Sequence, residues 1–218
     1  MTTKSTPQTL EQALGLIKAF ASQELISALT GTTATGTTAG ASKLSQLETE
    51  GSTVFPAELR AYLTSVAPSK ALYFTMVGNP IELWPLERMS WHLPGYNFNP
   101  VENQPIDDWD ENWFLIADEG ADPIMVDLSE QGHVSPVYRA MHGAGCWDFE
   151  PIADSIGQFL LCAAAMHHAL DEMDIEEPVQ DDDLGFNLCE DAAKWLFPFI
   201  RRHATEYQDE WLSVFDNA

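Results

Sequence analysis

The sequence predicts an α+β domain in which an antiparallel meander sheet packs against flanking helices. Three observations carry this. Apolar residues recur at helical spacing near both ends of the chain. The middle reads as short strands parted by brief turns. No helical segment of the kind a parallel crossover needs lies between those strands. At 218 residues the chain suits one sizeable domain with appended elements.

The first element is a helix over residues 9–29, with Leu10, Ala13, Leu14, Ile17, Phe20 and Ala21 as its stripe and Thr9 with Gln12 as a capping box. The segment TGTTATGTTAGAS that follows has no charge and no large apolar group, so residues 30–43 are expected to be a flexible linker. In FPAELRAYLTSVAP, Pro56 suits a first helical turn, Leu59, Tyr62, Leu63 and Val66 form a stripe, and Pro68 ends the helix. ALYFTMV and PIELWPLERM read as extended pieces, and WHLPGYNFNPVENQP as a loop. WFLIA and PIMVDL give two strands around DEGADP, and PVYRAMH gives another.

After Pro151 the pattern returns to helix, with Ile156, Phe159, Leu160, Ala163, Met166, His167 and Leu170 on one face; Asp154 or Ser155 can cap its start, and Gln158 would complete a capping box from Ser155. An acidic connector, DEMDIEEPVQDDD, leads to a last helix from about Glu190 that Pro198 should kink or divide. The expected organisation is a helix over 1–29, a linker over 30–43, an α+β domain over 44–173, and a connector with C-terminal helix over 174–218.

Charge is the unusual feature of the composition: 34 Asp and Glu against 10 Lys and Arg, a net −24. Such a surface repels nucleic acid and anionic membranes and attracts basic partners, although solubility alone also accounts for it. Cys146, Cys162 and Cys189 are odd in number and widely spaced, which argues for reduced thiols in a cytoplasmic protein and against a zinc ribbon. The first twenty residues lack the apolar core of a signal peptide, and no run is long enough to span a bilayer.

The acidic loop at residues 118–123 is the first candidate for chemistry. Counted from Asp118, an EF-hand would need Gly at the sixth place and Glu at the twelfth, where Pro123 and Ser129 stand. Asp118, Glu119 and Asp122 are loop neighbours rather than a carboxylate pair across a cleft, and Gly120 favours a turn; a six-residue hairpin connection is expected, with surface recognition as a second use. His142 and Cys146 lack companions at metal-site spacing. His167 and His168, adjacent on a helix, should divide into one core-facing and one exposed ring. Of the seven Trp, Trp84, Trp91, Trp109 and Trp113 lie where strands meet loops, as core lids or interface anchors. No catalytic, metal or cofactor set emerges.

Taken in order, these pieces resemble the SUKH superfamily, which includes fungal cell-wall-synthesis regulators and bacterial immunity proteins. Phe55, Pro56, Glu58 and Leu59 match its first helix, and Ile116, Ala117, Gly120, Asp122, Pro123 and Asp127 its hairpin. Pro136, Val137 and Tyr138 match a strand, and Ala153, Ser155, Ile156, Phe159 and Leu160 a second helix. The resemblance covers about residues 44–170; the Asn-Gly usual after the first helix is replaced by SVAPSKA. It implies a SUKH-like fold in which Pro56, Gly120, Asp122, Pro123, Asp127 and Ser155 are structural. It also implies a non-enzymatic immunity protein that binds and neutralises a protein toxin, such as a nuclease with a basic cleft; the alternative is a general regulatory interaction module of the same fold. Asp107, Asp108, Trp109, Asp110, Glu111, Asp118, Glu119 and Asp122 are the candidate partner-binding residues, Trp109 as an aromatic anchor among charges. Reversing Asp107, Asp108 and Asp110 is then expected to weaken binding without lowering stability.

Overall fold

The computed structural model describes residues 8–30, 36–129, 132–182 and 185–218. Its centre is a six-stranded sheet of β1 (Leu72–Phe74), β2 (Ile81–Leu83), β5 (Trp113–Glu119), β6 (Asp122–Asp127), β7 (Val137–Arg139) and β8 (Glu150–Ala153), hydrogen-bonded in that order. Every pairing is antiparallel. The meander read from the sequence is therefore the sheet, with one outer strand, β8, that the sequence reading missed. Pro151 hid it, and an outer strand tolerates proline because its N–H side faces away from the ladder. Two small hairpins lie apart from the sheet: β3 (Phe98–Asn99) with β4 (Gln104–Pro105), and β9 (Val179–Asp182) with β10 (Gly185–Leu188). The second replaces part of the expected acidic connector.

Residues Phe114 to Asp118 of β5 are all buried, so both faces of the central strand are covered. A bulge between Leu115 and Ala117 interrupts the pairing of β5 with β6, while on the β2 side the Ile116 carbonyl accepts the Trp84 amide at 3.0 Å, one residue past the end of β2. The hairpin turn is two residues, not six: Glu119 pairs with Asp122, and Gly120 (φ +60°) and Ala121 (φ +82°) make the turn. A side chain at 120 would strike Asn79. Alanine at 121 bears left-handed strain, so Ala121→Gly is expected to raise stability by about 1 kcal/mol, read as the midpoint of urea unfolding.

The N-terminal helix is two helices, α1 (Leu10–Ile17) and α2 (Gln23–Thr30). Thr9 and Gln12 form the expected box on α1. The Ser22 hydroxyl accepts from the Leu25 amide at 3.1 Å to start α2, and its own amide donates to both Glu172 oxygens at 3.2 and 3.1 Å. Burial works to raise the Glu172 pKa, but these bonds and His168 outweigh it and hold the carboxyl below its usual range.

Of the expected linker, residues 31–35 lie outside the described residues, and from Gly36 the chain is helical: α3 runs Gly36–Glu50. Gly40 serves close packing. A Cβ at Gly40 would stand 2.7 Å from the Leu63 carbonyl of α4 (Ala57–Ser65), so the two helix backbones approach where nothing larger fits. Leu44 and Leu47 then bury against the core.

Helix α5 (Ile156–His167) is buried over Ile156–Met166 and continues as a π-helical turn, His168–Glu172. Helix α1 packs against α5, and so does α6 (Glu190–His203). That enclosure half-buries both histidines instead of dividing them. His167 accepts the Thr75 amide at Nδ1, at 3.1 Å. His168 packs on Phe20 and Trp195, with Nδ1 3.1 Å from Glu172. Helix α6 runs through Pro198 and ends at His203; α7 (Gln208–Leu212) follows. Pro198 and Lys194, the residue four positions before it whose carbonyl a proline cannot bond, are both exposed, so the break in the ladder falls on the outer face of the helix. Among the described residues no helix is long and apolar enough to cross a membrane.

One contact between the two termini titrates. Gln8 Nε2 donates to His203 Nδ1 at 2.5 Å, and burial, with Arg202 beside it, lowers the His203 pKa from its usual 6.5. A depressed histidine supplies stability above its unfolded pKa and loses it as pH falls through the folded value. The melting temperature should therefore fall with acidification below about pH 6.5 more steeply in the wild type than in His203→Gln.

Candidate functional site

Residues 84–112, between β2 and β5, form the largest excursion from the sheet and carry the acidic stretch DDWDEN. Side chains hold it in place. Trp91 Nε1 donates to the Leu47 carbonyl at 2.8 Å, and the Trp91 ring packs edge-on against Phe55 and Phe114. Asn97 accepts from the Leu93 amide at 2.8 Å and donates to the Trp91 carbonyl at 2.7 Å, closing the turn that leads into β3. Between this excursion and the C-terminal end of α3 lies an open cleft of about 600 Å³. Trp91, Phe98, Ile106 and Trp109 are its aromatic and apolar wall, and Glu50 and Glu111 stand at its lip.

The structure divides the predicted partner-binding residues. Asp107 and Glu111 are exposed, and Glu111 lines the cleft. Asp108 is exposed too, but its Oδ2 accepts the Trp147 amide at 2.9 Å, and Asp110 accepts both the amide and the side-chain nitrogen of Asn112 at 2.8 and 3.0 Å. Those two carboxylates shape the loop, so reversing Asp107, Asp108 and Asp110 together is expected to cost stability, contrary to the expectation from sequence. Trp109 is not a free anchor. It is half-buried in a cluster with Tyr96, Trp113, Trp147 and Phe149. Burial, reinforced by Asp118, pushes the Tyr96 hydroxyl up to about 12 and keeps it neutral within that cluster.

The hairpin acids are committed internally. Asp118 is 8 % exposed, and its Oδ2 accepts the Trp84 indole at 2.5 Å and lies 3.7 Å from the Arg88 guanidinium. Glu119 pairs with Arg139 at 2.6 Å. Asp122 accepts the His142 amide at 2.7 Å and meets its ring Nδ1 at 2.5 Å. Asp118 is thereby removed from the recognition surface, and Glu119 and Asp122 are removed as free carboxylates; burial and pairing, invisible in a list of acids, are the reason. His142 is tied to Asp122 while Cys146 is exposed, and among the described residues no three His, Cys, Asp or Glu side chains converge as metal ligands.

The structural-motif residues fall where the fold turns. Pro56 is the buried N-cap of α4, Gly120 makes the turn, Pro123 is buried in β6, and Asp127 accepts the Ser129 amide at 2.8 Å. Ser155 caps α5, accepting from Gln158 at 2.9 Å and donating to the Gln8 carbonyl at 2.6 Å. Gln158 reaches the Asp154 amide rather than that of Ser155. The residue that sequence reasoning underrated is Glu58, 6 % exposed. Its carboxylate accepts the amides of Ser135 (2.7 Å), Ile156 (3.3 Å) and Gly157 (3.1 Å), joining α4, the chain before β7 and the start of α5. Burial raises its pKa against the lowering effect of the three amides. A glutamate placed between Pro56 and an apolar helix stripe was the signal available in the sequence.

A family model described as "SMI1 / KNR4 family (SUKH-1)" matches residues 38–162. No curated protein and no solved structure matches the chain. The matched span runs from α3 through the whole six-stranded sheet into α5, and it contains Glu58, the hairpin and the cleft. The helices α1, α2, α6 and α7 lie outside it. Both the order of elements and the family match lead to one conclusion: the chain belongs to the SMI1/KNR4 (SUKH-1) family.

Proposed function

We propose that this chain is a binding protein without chemistry of its own, an immunity protein of cytoplasmic bacterial origin that neutralises a basic protein toxin, such as a nuclease, through its acidic face. The observation that carries this reading is the distribution of charge. Arg139 is the single Lys or Arg between Met89 and Ala193, and it is paired with Glu119 and lies 3.9 Å from Glu210. From Met89 to Asn112 the excursion that forms the cleft thus presents carboxylates with no Lys or Arg, and Arg88 at its start is paired with Glu82. A nuclease holds phosphate with a basic cleft, and an acidic surface would be steered onto it rapidly at low salt.

Co-expression tests the reading. The product of the neighbouring gene, and a panel of basic nuclease toxins, are expressed with and without this chain; the expected result is growth restored by the chain against one of them. Relief of none would remove the toxin reading and favour a general regulatory interaction module of the same fold. For a toxin that is relieved, Asp107→Lys with Glu111→Lys should slow association about tenfold at low salt and leave the melting temperature unchanged, as neither side chain is buried. An unchanged association rate would place the contact elsewhere.

A further inference from the structure

We infer that the cleft beside α3 is the docking site for an arginine-bearing segment of the partner protein, whose guanidinium enters between the aromatic wall and the two lip carboxylates. The inference rests on the reading of the chain as a partner-binding protein and names the surface and the chemistry it would use. Four features meet there. Trp91, Phe98 and Trp109 offer ring surface at the wall, and a cation over such a ring is attracted by its quadrupole. Glu50 and Glu111 are exposed acceptors at the lip. Glu50 is the last residue of the fifteen-residue helix α3, so that helix ends at the cleft with its partial negative charge. Among the described residues the wall and lip contain no Lys or Arg to fill the site from within.

The protein already uses this chemistry once. Arg88 lies over the Trp84 ring, 3.8 Å from its centroid, between Glu82 at 2.6 Å and Asp118 at 3.7 Å. A guanidinium flanked by carboxylates on a Trp face is therefore a stable arrangement in this sequence, and the cleft repeats its partners without the cation. Arginine fits better than lysine because a planar guanidinium stacks on a ring while its edge donates to carboxylates.

The experiment titrates the full chain with an acetylated, amidated Gly-Arg-Gly-Arg-Gly peptide and its Lys and Gln counterparts. Binding is followed through the indole N–H resonances of Trp91 and Trp109. The expected result is that the Arg peptide shifts both resonances, the Lys peptide binds at least threefold more weakly, and the Gln peptide does not bind. Glu50→Lys with Glu111→Lys should lower affinity for the Arg peptide at least tenfold. The same charge change at the exposed Glu176 and Glu177 should alter it less than threefold. Equal loss from both pairs, or unshifted indoles, would overturn the site and leave only diffuse attraction to an acidic surface; equal binding of the Gln peptide would make it an apolar groove with no call on charge. Toxin relief is scored separately. A chain that still relieves a toxin after Glu50→Lys and Glu111→Lys loses the cleft as the docking site but keeps its function, whereas a chain that binds the peptide and relieves nothing keeps the cleft and loses the toxin reading.

Discussion

Replacing Glu58 by Ala is expected to destabilise the protein by about 3 kcal/mol or more, because it strands three buried amides at once. Two of them, Ile156 and Gly157, are first-turn donors of α5, which have no partner within the helix. The third, from Ser135, fixes the approach to β7. For a chain of this size the loss corresponds to a fall in melting temperature of roughly 6–12 °C. Glu58→Gln should cost less, since the amide oxygen still accepts while the nitrogen opposes one donor. The two variants also separate by pH. Burial raises the Glu58 pKa, so its contribution is whole below the unfolded acid value and declines as pH rises through the folded one. The margin of wild type over Glu58→Gln should thus be larger near pH 4 than near pH 7. A margin that grew with pH would mean that the amides dominate and that the carboxylate is held ionised.

Glu58 also explains why the family pattern could be recognised before its purpose could be read. The sequence places a carboxylate after Pro56 on a helix, where it resembles any exposed first-turn acid. Its burial follows from a partner ninety-eight residues away, at Ile156, and no local pattern encodes that distance. The same limit separates the elements that were legible from those that were not. The strands of the meander, the box at Thr9 and the cap at Ser155 depend on neighbours within a few residues, and they stand nearly where spacing put them. The helix at Gly36–Glu50 depends on α4 for its packing, so its Thr, Gly and Ala residues read as linker. The acids of the hairpin read as a turn, with surface recognition as a second use, because charge is visible in sequence, whereas Trp84, Arg88, Arg139 and His142, which engage them, arrive from other segments. Of the candidate interface, the acidity of residues 107–111 was legible. The cleft was not, since it needs α3 to end beside the excursion.

Gly157→Ala is expected to destabilise the protein by about 2 kcal/mol, an overpacking cost, although alanine in a helix ordinarily gains up to about 1 kcal/mol over glycine. A Cβ at 157 would stand 2.8 Å from the Gln8 carbonyl and from the Thr9 backbone, which cannot swing aside as a long side chain could. Residues 8 and 9 would have to retreat, weakening the Ser155 bond to Gln8, the Gln8 bond to His203 and the packing of Leu10, Ala13 and Ile17 on the core. The damage should therefore concentrate in α1 and α2, with amide exchange over residues 10–30 accelerated far more than in β5 or β6. Gly15→Ala is the matched control. It makes the same change within α1, where a Cβ would meet nothing within 4 Å, and should stabilise by up to about 1 kcal/mol. Opposite signs at the two glycines would establish that the N-terminal helices are held by backbone contact with α5. A stabilising Gly157→Ala would show that they ride on it loosely, and the enclosure of α5 would then have to rest on α6 alone.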